Sequence, residues 1–187
     1  MMQKGRVNIQ FCGFGGQGII LSSVILGATA VTRAGLDAVQ TQSYGSEARG
    51  GECQAEVIVS DTQIDSMLAD EVDILVGMSQ SALNRYLGRL RSGGTLIMDP
   101  ELVSRPDRKD VTILEVPATQ IATKIGTKLA ANMVILGFIQ QATGMFTQED
   151  LVGAIGENVR ERFLKVNVEA ARRGADVAKD QKVRVEV

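Results

Sequence analysis

The chain has 187 residues, 44% of them hydrophobic and 22% charged, with a formal net charge of -2: long enough for one well-packed domain, with no general attraction for nucleic acid or anionic lipid. It contains no histidine, no tryptophan and two cysteines, which excludes Ser-His and Cys-His nucleophile pairs, histidine zinc ligands and a four-thiolate iron–sulfur cluster held by this chain alone. No run reaches the ~18 apolar residues of a membrane span, the N-terminal MMQKGRVNIQFCGFGG has no cleavage-like segment, and two unpaired thiols suit a reducing compartment, so a cytoplasmic location is expected.

The first expected strand, Arg6 to Cys12, alternates Val7, Ile9 and Phe11 with polar residues. The glycine turn GFGGQG, Gly13 to Gly18, leads into a helix to about Arg33, with Gly35 where a helix-terminating glycine belongs. Ala38 to Gln42 is a short second strand. SYGSEARGG, Ser43 to Gly51, is loop chemistry, short enough for an antiparallel turn into a third strand, Gln54 to Ser60. Asp73 to Met78 reads as a doubly buried strand, followed by a helix from Ser79 to Arg91 capped by Ser79 or Ser81. Gly93 and Gly94 then turn the chain into a strand at Thr95 to Asp99, stopped by Pro100. Thr112 to Val116 is a sixth strand. The remainder is helical: from Pro117 through Ile125, Leu129 to Thr143, Gln148 to Gly156 and Asn167 to Lys179. The closing KVRVEV alternates like a strand without an obvious partner. One domain spans 1–187: an α/β fold, a three-layer α/β/α sandwich around a mostly parallel, mixed sheet, with a Rossmann-like N-terminal βαβ and a helical C-terminal part.

Gly13, Gly15 and Gly18 satisfy G-x-G-x-x-G between strand and helix, the setting of a dinucleotide fingerprint. The acidic residue that should close the second strand and hold a ribose is missing: the strand ends at Gln42 and Ser43, Asp37 sits at its beginning, and Glu47 lies within the following loop. The bland reading is a tight turn with close helix packing. In the second loop Arg49, flanked by glycine, offers a fixed cation beside exposed amides, suited to phosphate or carboxylate; a surface turn with Arg49 paired to Glu47 or Glu52 explains the same residues. Cys12 and Cys53 read as small buried residues, and the apolar LAANMVILGFI, Leu129 to Ile139, as a helix buried on most sides.

GFGGQG, VQTQSYGSEARGG, AEVIVS, MSQSALNRYL and ANMVILG, taken in order, resemble the gamma subunit of the 2-oxoacid:ferredoxin oxidoreductases over about residues 7 to 175. The TQSY lead-in and MSQ look most like the 2-oxoglutarate branch; Ser46 departs from the proline the family often carries after SYG. The resemblance implies a subunit of a complex that turns a 2-oxoacid, coenzyme A and oxidised ferredoxin into acyl-CoA, carbon dioxide and reduced ferredoxin. It implies thiamine diphosphate and iron–sulfur clusters on partner subunits (alpha, beta and in some complexes delta), ferredoxin met only through them, and no cofactor bound by this chain alone. No catalytic or metal-ligating residue is expected here. Coenzyme A is expected near Gly15, Gly16, Gln17, Tyr44, Arg49 and Gly50, the same loops being equally suited to subunit contact, and the isolated chain could pair with itself. The rival readings are a free-standing Rossmann-type nucleotide-dependent oxidoreductase and an interaction module that never meets substrate.

Overall fold

The computed structural model describes residues 5–44, 51–66 and 70–185. β1 (Arg6–Phe14), β2 (Asp37–Tyr44), β3 (Glu52–Ser60), β4 (Val72–Gly77), β5 (Leu90–Met98) and β6 (Thr112–Glu115) form one six-stranded sheet in the order β2-β3-β1-β4-β5-β6. β1, β4, β5 and β6 are parallel neighbours, whereas β3 runs antiparallel to both β1 and β2. The fold is therefore α/β with a mixed sheet, as the strand-helix alternation predicts.

Alternation along the strands sorts the interior into two clusters. Val7, Ile9 and Phe11 of β1 face the same side as Cys53, Ala55 and Val57 of β3. Five helices cover that side: α1 (Ile19–Thr32), α3 (Ala118–Ile125), α4 (Ala131–Thr143), α5 (Gln148–Asn158) and α6 (Glu161–Asp180). Cys12, Leu75, Leu96 and Met98 face the other side, where α2 (Gln80–Tyr86) supplies Ala82 and Leu83.

α4 is buried except at Gln141 and Thr143, inside this domain. It lies directly on α6: a Cβ added at Gly137 would strike the Ala171 carbonyl, and one at Gly174 the Val134 carbonyl. Two helix backbones can meet this closely only where side chains are absent.

Four local expectations differ from the structure. The helix after Ser79 ends sooner, passing through a 3-10 turn at Leu87–Arg89 into β5 at Leu90. Gly93 and Gly94 lie inside β5, where the ladder to β4 slips between Val72 and Ile74; Gly93 takes φ 77 and donates its N–H to Asp110 O at 2.7 Å. α6 begins at Glu161 rather than Asn167 because the Arg-Glu-Arg stretch is exposed yet continuous with the buried Ala170, Ala171 and Gly174 stripe. The C-terminal KVRVEV forms no strand through Val185, which donates its N–H to Ala142 O at 2.9 Å and is nearly buried there.

Candidate functional site

The chain leaves β1 toward β2 on one side and enters β4 on the other. The gap between β1 and β4 is therefore the point where crossovers reverse, the position at which open α/β sheets hold ligands. A cavity of about 270 Å³ opens there, walled by Gly16 and Gln17 after β1, Met78 after β4, Glu101 and Leu102 after β5, Thr119 in α3, and Lys128 and Leu129 before α4. The N-terminal ends of α1, α3 and α4 approach this wall, and their dipoles together with Lys128 favour an anion, with Glu101 as the opposing charge. A wider apolar groove of about 420 Å³ continues past Leu129 between α1 and α6, with Leu21, Met133 and Phe163 in its lining and Asn132, Asn158 and Arg160 as polar points.

The glycine turn is internally satisfied. Gln17 Oε1 accepts the Phe14 N–H at 2.7 Å, Gly51 O accepts the Gly15 N–H at 3.0 Å, and Phe14 O accepts the Gln17 N–H at 3.2 Å. Gly18, at φ 74, opens α1, and its carbonyl accepts from the Asn132 side chain at 3.3 Å. The Phe14, Gly15 and Gln17 amides of the turn are thus already engaged within the protein. β3 also separates β1 from β2, which moves the end of β2 about one strand spacing, roughly 5 Å, outward from its place in a dinucleotide fold. Asp37 pairs with Ser60 at the far edge; the acid on the ligand edge beside β1 is Glu52 of β3, opposite Phe14, and it is engaged by Arg85.

Of the six predicted site residues, Gly16 and Gln17 line the cavity, and Gly15 precedes them in the same turn without lining it. Tyr44 ends β2 opposite Cys53, so its backbone stands on the same edge. The Tyr44 side chain, Arg49 and Gly50 lie outside the described residues. The bond from Gly15 to Gly51 ties the two motif loops together, although they leave β1 and β2 across the intervening β3 rather than neighbouring strands. Glu52 pairs with Arg85 at 3.5 Å.

Sequence reasoning passed over three contributors. Thr119, Lys128 and Leu129 come from chain far beyond the glycine turn and carry no motif. Asp99, expected only as the last residue of a strand stopped by Pro100, is fully buried and accepts the N–H of Glu101 at 3.0 Å and of Thr119 at 2.7 Å, holding the start of α3 at the cavity. The signal was a lone acid ending an apolar strand. The two cysteines are free and lie in different core clusters on opposite faces of the sheet. Burial first, then the neighbouring Cys53 and Glu52, pushes the Cys12 thiol from 9.0 up to about 12, and burial also raises Cys53. Neither is a thiolate nucleophile at neutral pH. Among the described residues no group of three or more His, Cys, Asp or Glu is placed to hold a metal ion, and no helix is long and apolar enough to cross a membrane.

The chain is 41% identical over 179 residues to the 2-oxoglutarate synthase subunit KorC of Methanothermobacter marburgensis, covering 92% of this chain and 96% of that protein. The KorC subunit of Methanocaldococcus jannaschii is also 41% identical, over 180 residues. Among solved structures, the keto/oxoacid ferredoxin oxidoreductase gamma subunit from Geobacter sulfurreducens matches with a TM-score of 0.84 and 34% identity, covering 94% of this chain and 98% of that one. A 2-oxoglutarate:ferredoxin oxidoreductase from Magnetococcus marinus, bound to 2-oxoglutarate, coenzyme A and succinyl-CoA, matches with a TM-score of 0.86 at 25% identity; 98% of this chain corresponds to 33% of that longer polypeptide. Residues 8–177 match the pyruvate ferredoxin/flavodoxin oxidoreductase family, so the chain belongs to that family.

Proposed function

We propose that this chain is the gamma-type subunit of a cytoplasmic 2-oxoglutarate:ferredoxin oxidoreductase, which forms succinyl-CoA and carbon dioxide and passes electrons to ferredoxin. The observation that carries the reading is the hydrogen bond from Gly15 to Gly51, which joins the glycine turn to the last residue of the second motif at the ligand edge of the sheet. The names of the relatives at 41% identity supply the oxoacid, and the coenzyme A held by the Magnetococcus marinus relative supplies the ligand. Gly15, Gly16, Gln17, Tyr44, Arg49 and Gly50 border the coenzyme, whose phosphates suit the converging helix ends and Lys128. Thiamine diphosphate and the iron–sulfur clusters belong to partner subunits, alpha and beta with a delta subunit in some complexes.

An outer surface free of charge fits such partners. α1 contains no ionisable residue, and Ile20, Val24, Ala28 and Val31 stay half or fully exposed along its length. Leu129, 72% exposed, and Phe163, 46% exposed, lie beyond the cavity, where charge returns as Arg162 stacks over the Phe163 ring at 4.6 Å. Isolated, the chain can pair with itself through the same patch.

Calorimetry on the assembled complex tests the coenzyme contact. Losing a charge-assisted bond costs about 1.5–3 kcal/mol, so Arg49→Ala should weaken coenzyme A binding by roughly tenfold or more. Unchanged affinity would assign the loop to subunit contact alone.

A further inference from the structure

We infer that Gln17 is the positioning residue of the glycine turn, a latch that locks the turn onto the end of β4 and fills the ground a pyrophosphate takes in dinucleotide-binding folds. Its carboxamide is used at both ends: Oε1 accepts the Phe14 N–H and Nε2 donates to Met78 O, each at 2.7 Å. Met78 in turn donates its own N–H to Cys12 O at 2.9 Å. The β1 end and the β4 end are thus joined by a backbone bond on one side of the gap and by this side chain on the other. Asparagine is one methylene shorter, and glutamate has no proton for the Met78 carbonyl.

The first glycine of the motif has its reason here. A Cβ at Gly13 would stand 2.5 Å from Gln17 Oε1 and 2.7 Å from Ile19 Cδ1, so only glycine lets the carboxamide fold back over the turn. The sequence GFGGQG is therefore a loop that carries its own occupant. The carbonyl oxygen of Gln17 takes the Phe14 amide that a phosphate oxygen would otherwise take, and the turn is set before any ligand arrives. A turn ordered in advance spares the ligand the cost of ordering it.

The functional half of this inference rests on the coenzyme A reading, and the two are separable by experiment. Amide hydrogen exchange is measured on the isolated full chain for Gln17→Ala and for Gln17→Glu, which keeps the shape and the acceptor. The KM for coenzyme A and kcat are measured on the assembled complex. The expected result is faster exchange at Phe14 to Gly18 and at Met78 and Ser79, a KM for coenzyme A raised roughly fivefold or more, and kcat within about twofold. Unchanged exchange in both variants overturns the latch. Faster exchange with KM and kcat both unchanged upholds the latch and overturns the coenzyme reading of this edge. A fall in kcat at constant KM overturns the positioning role in favour of direct participation in turnover.

Discussion

Two buried side chains set the residue-scale expectations. Asp99 satisfies two backbone N–H groups at the start of α3 and after β5. Asp99→Ala leaves the buried Thr119 N–H without an acceptor and frees the partly buried Glu101 N–H to water, at a cost of about 2 kcal/mol, which chemical denaturation should show as a lowered midpoint. Asp99→Asn, retaining one acceptor oxygen, should lose less. Cys12 gives a pH expectation. Its thiol titrates near 12 in the folded chain against 9.0 ordinarily. The folded value is the higher one, so the stability it contributes is complete below pH 9 and is lost as pH rises from 9 toward 12. Cys12→Ala should flatten the fall in thermal midpoint across that window. Mass spectrometry after iodoacetamide treatment near pH 8 should find Cys12 unmodified in the folded protein. On the surface, Arg108 and then Ser92 hold the Asp110 carboxyl well below the usual carboxylate range and secure the chain between β5 and β6.

Between elements, the α4 and α6 contact offers the sharpest test. Alanine is favoured over glycine in a helix by about 1 kcal/mol, yet Gly174→Ala should destabilise the chain by about 2 kcal/mol or more because its methyl would meet the Val134 carbonyl. Gly156→Ala in α5, whose Cβ finds only a Leu164 methyl at 3.9 Å, should be neutral or stabilising in the same thermal melt. Both glycines look alike in sequence. What the sequence made legible were elements defined by their own pattern: β1, α1, the doubly buried β4, and α4, whose apolar run marked a helix buried on most sides. The direction of β3 was open, since a short link permits an antiparallel turn without requiring one. The start of β5 was hidden because a bulge at Gly93 and Gly94 looks like a turn until the partner ladder is known. The docking of Val185 on Ala142 depends on a backbone group from another element, which no local alternation reveals. For the site, the two glycine loops were readable as motifs, while the Lys128 and Thr119 wall was assembled only by folding.

For the whole molecule, the uncharged face of α1 is the feature that an assembly would use. Val24 and Val31 are 37% and 52% exposed, so acidic substitutions there should change the isolated chain's stability by no more than about 0.5 kcal/mol. Val24→Asp with Val31→Glu should nevertheless abolish co-purification with the larger subunits, measured by native mass determination; retained assembly would remove α1 from the interface. The six-stranded order carries a consequence for how the molecule is made. β2 cannot reach β1 except through β3, the Gly15 N–H finds its acceptor at Gly51, and the Gln17 side-chain N–H finds its acceptor at Met78. A nascent chain that has just emerged through the second strand accordingly has no parallel pair to close, and its glycine loop stays open on the ribosome. Pulse proteolysis of stalled chains should find the first thirty or so residues cleavable until translation has passed the fourth strand, after which protection arrives for all of them together.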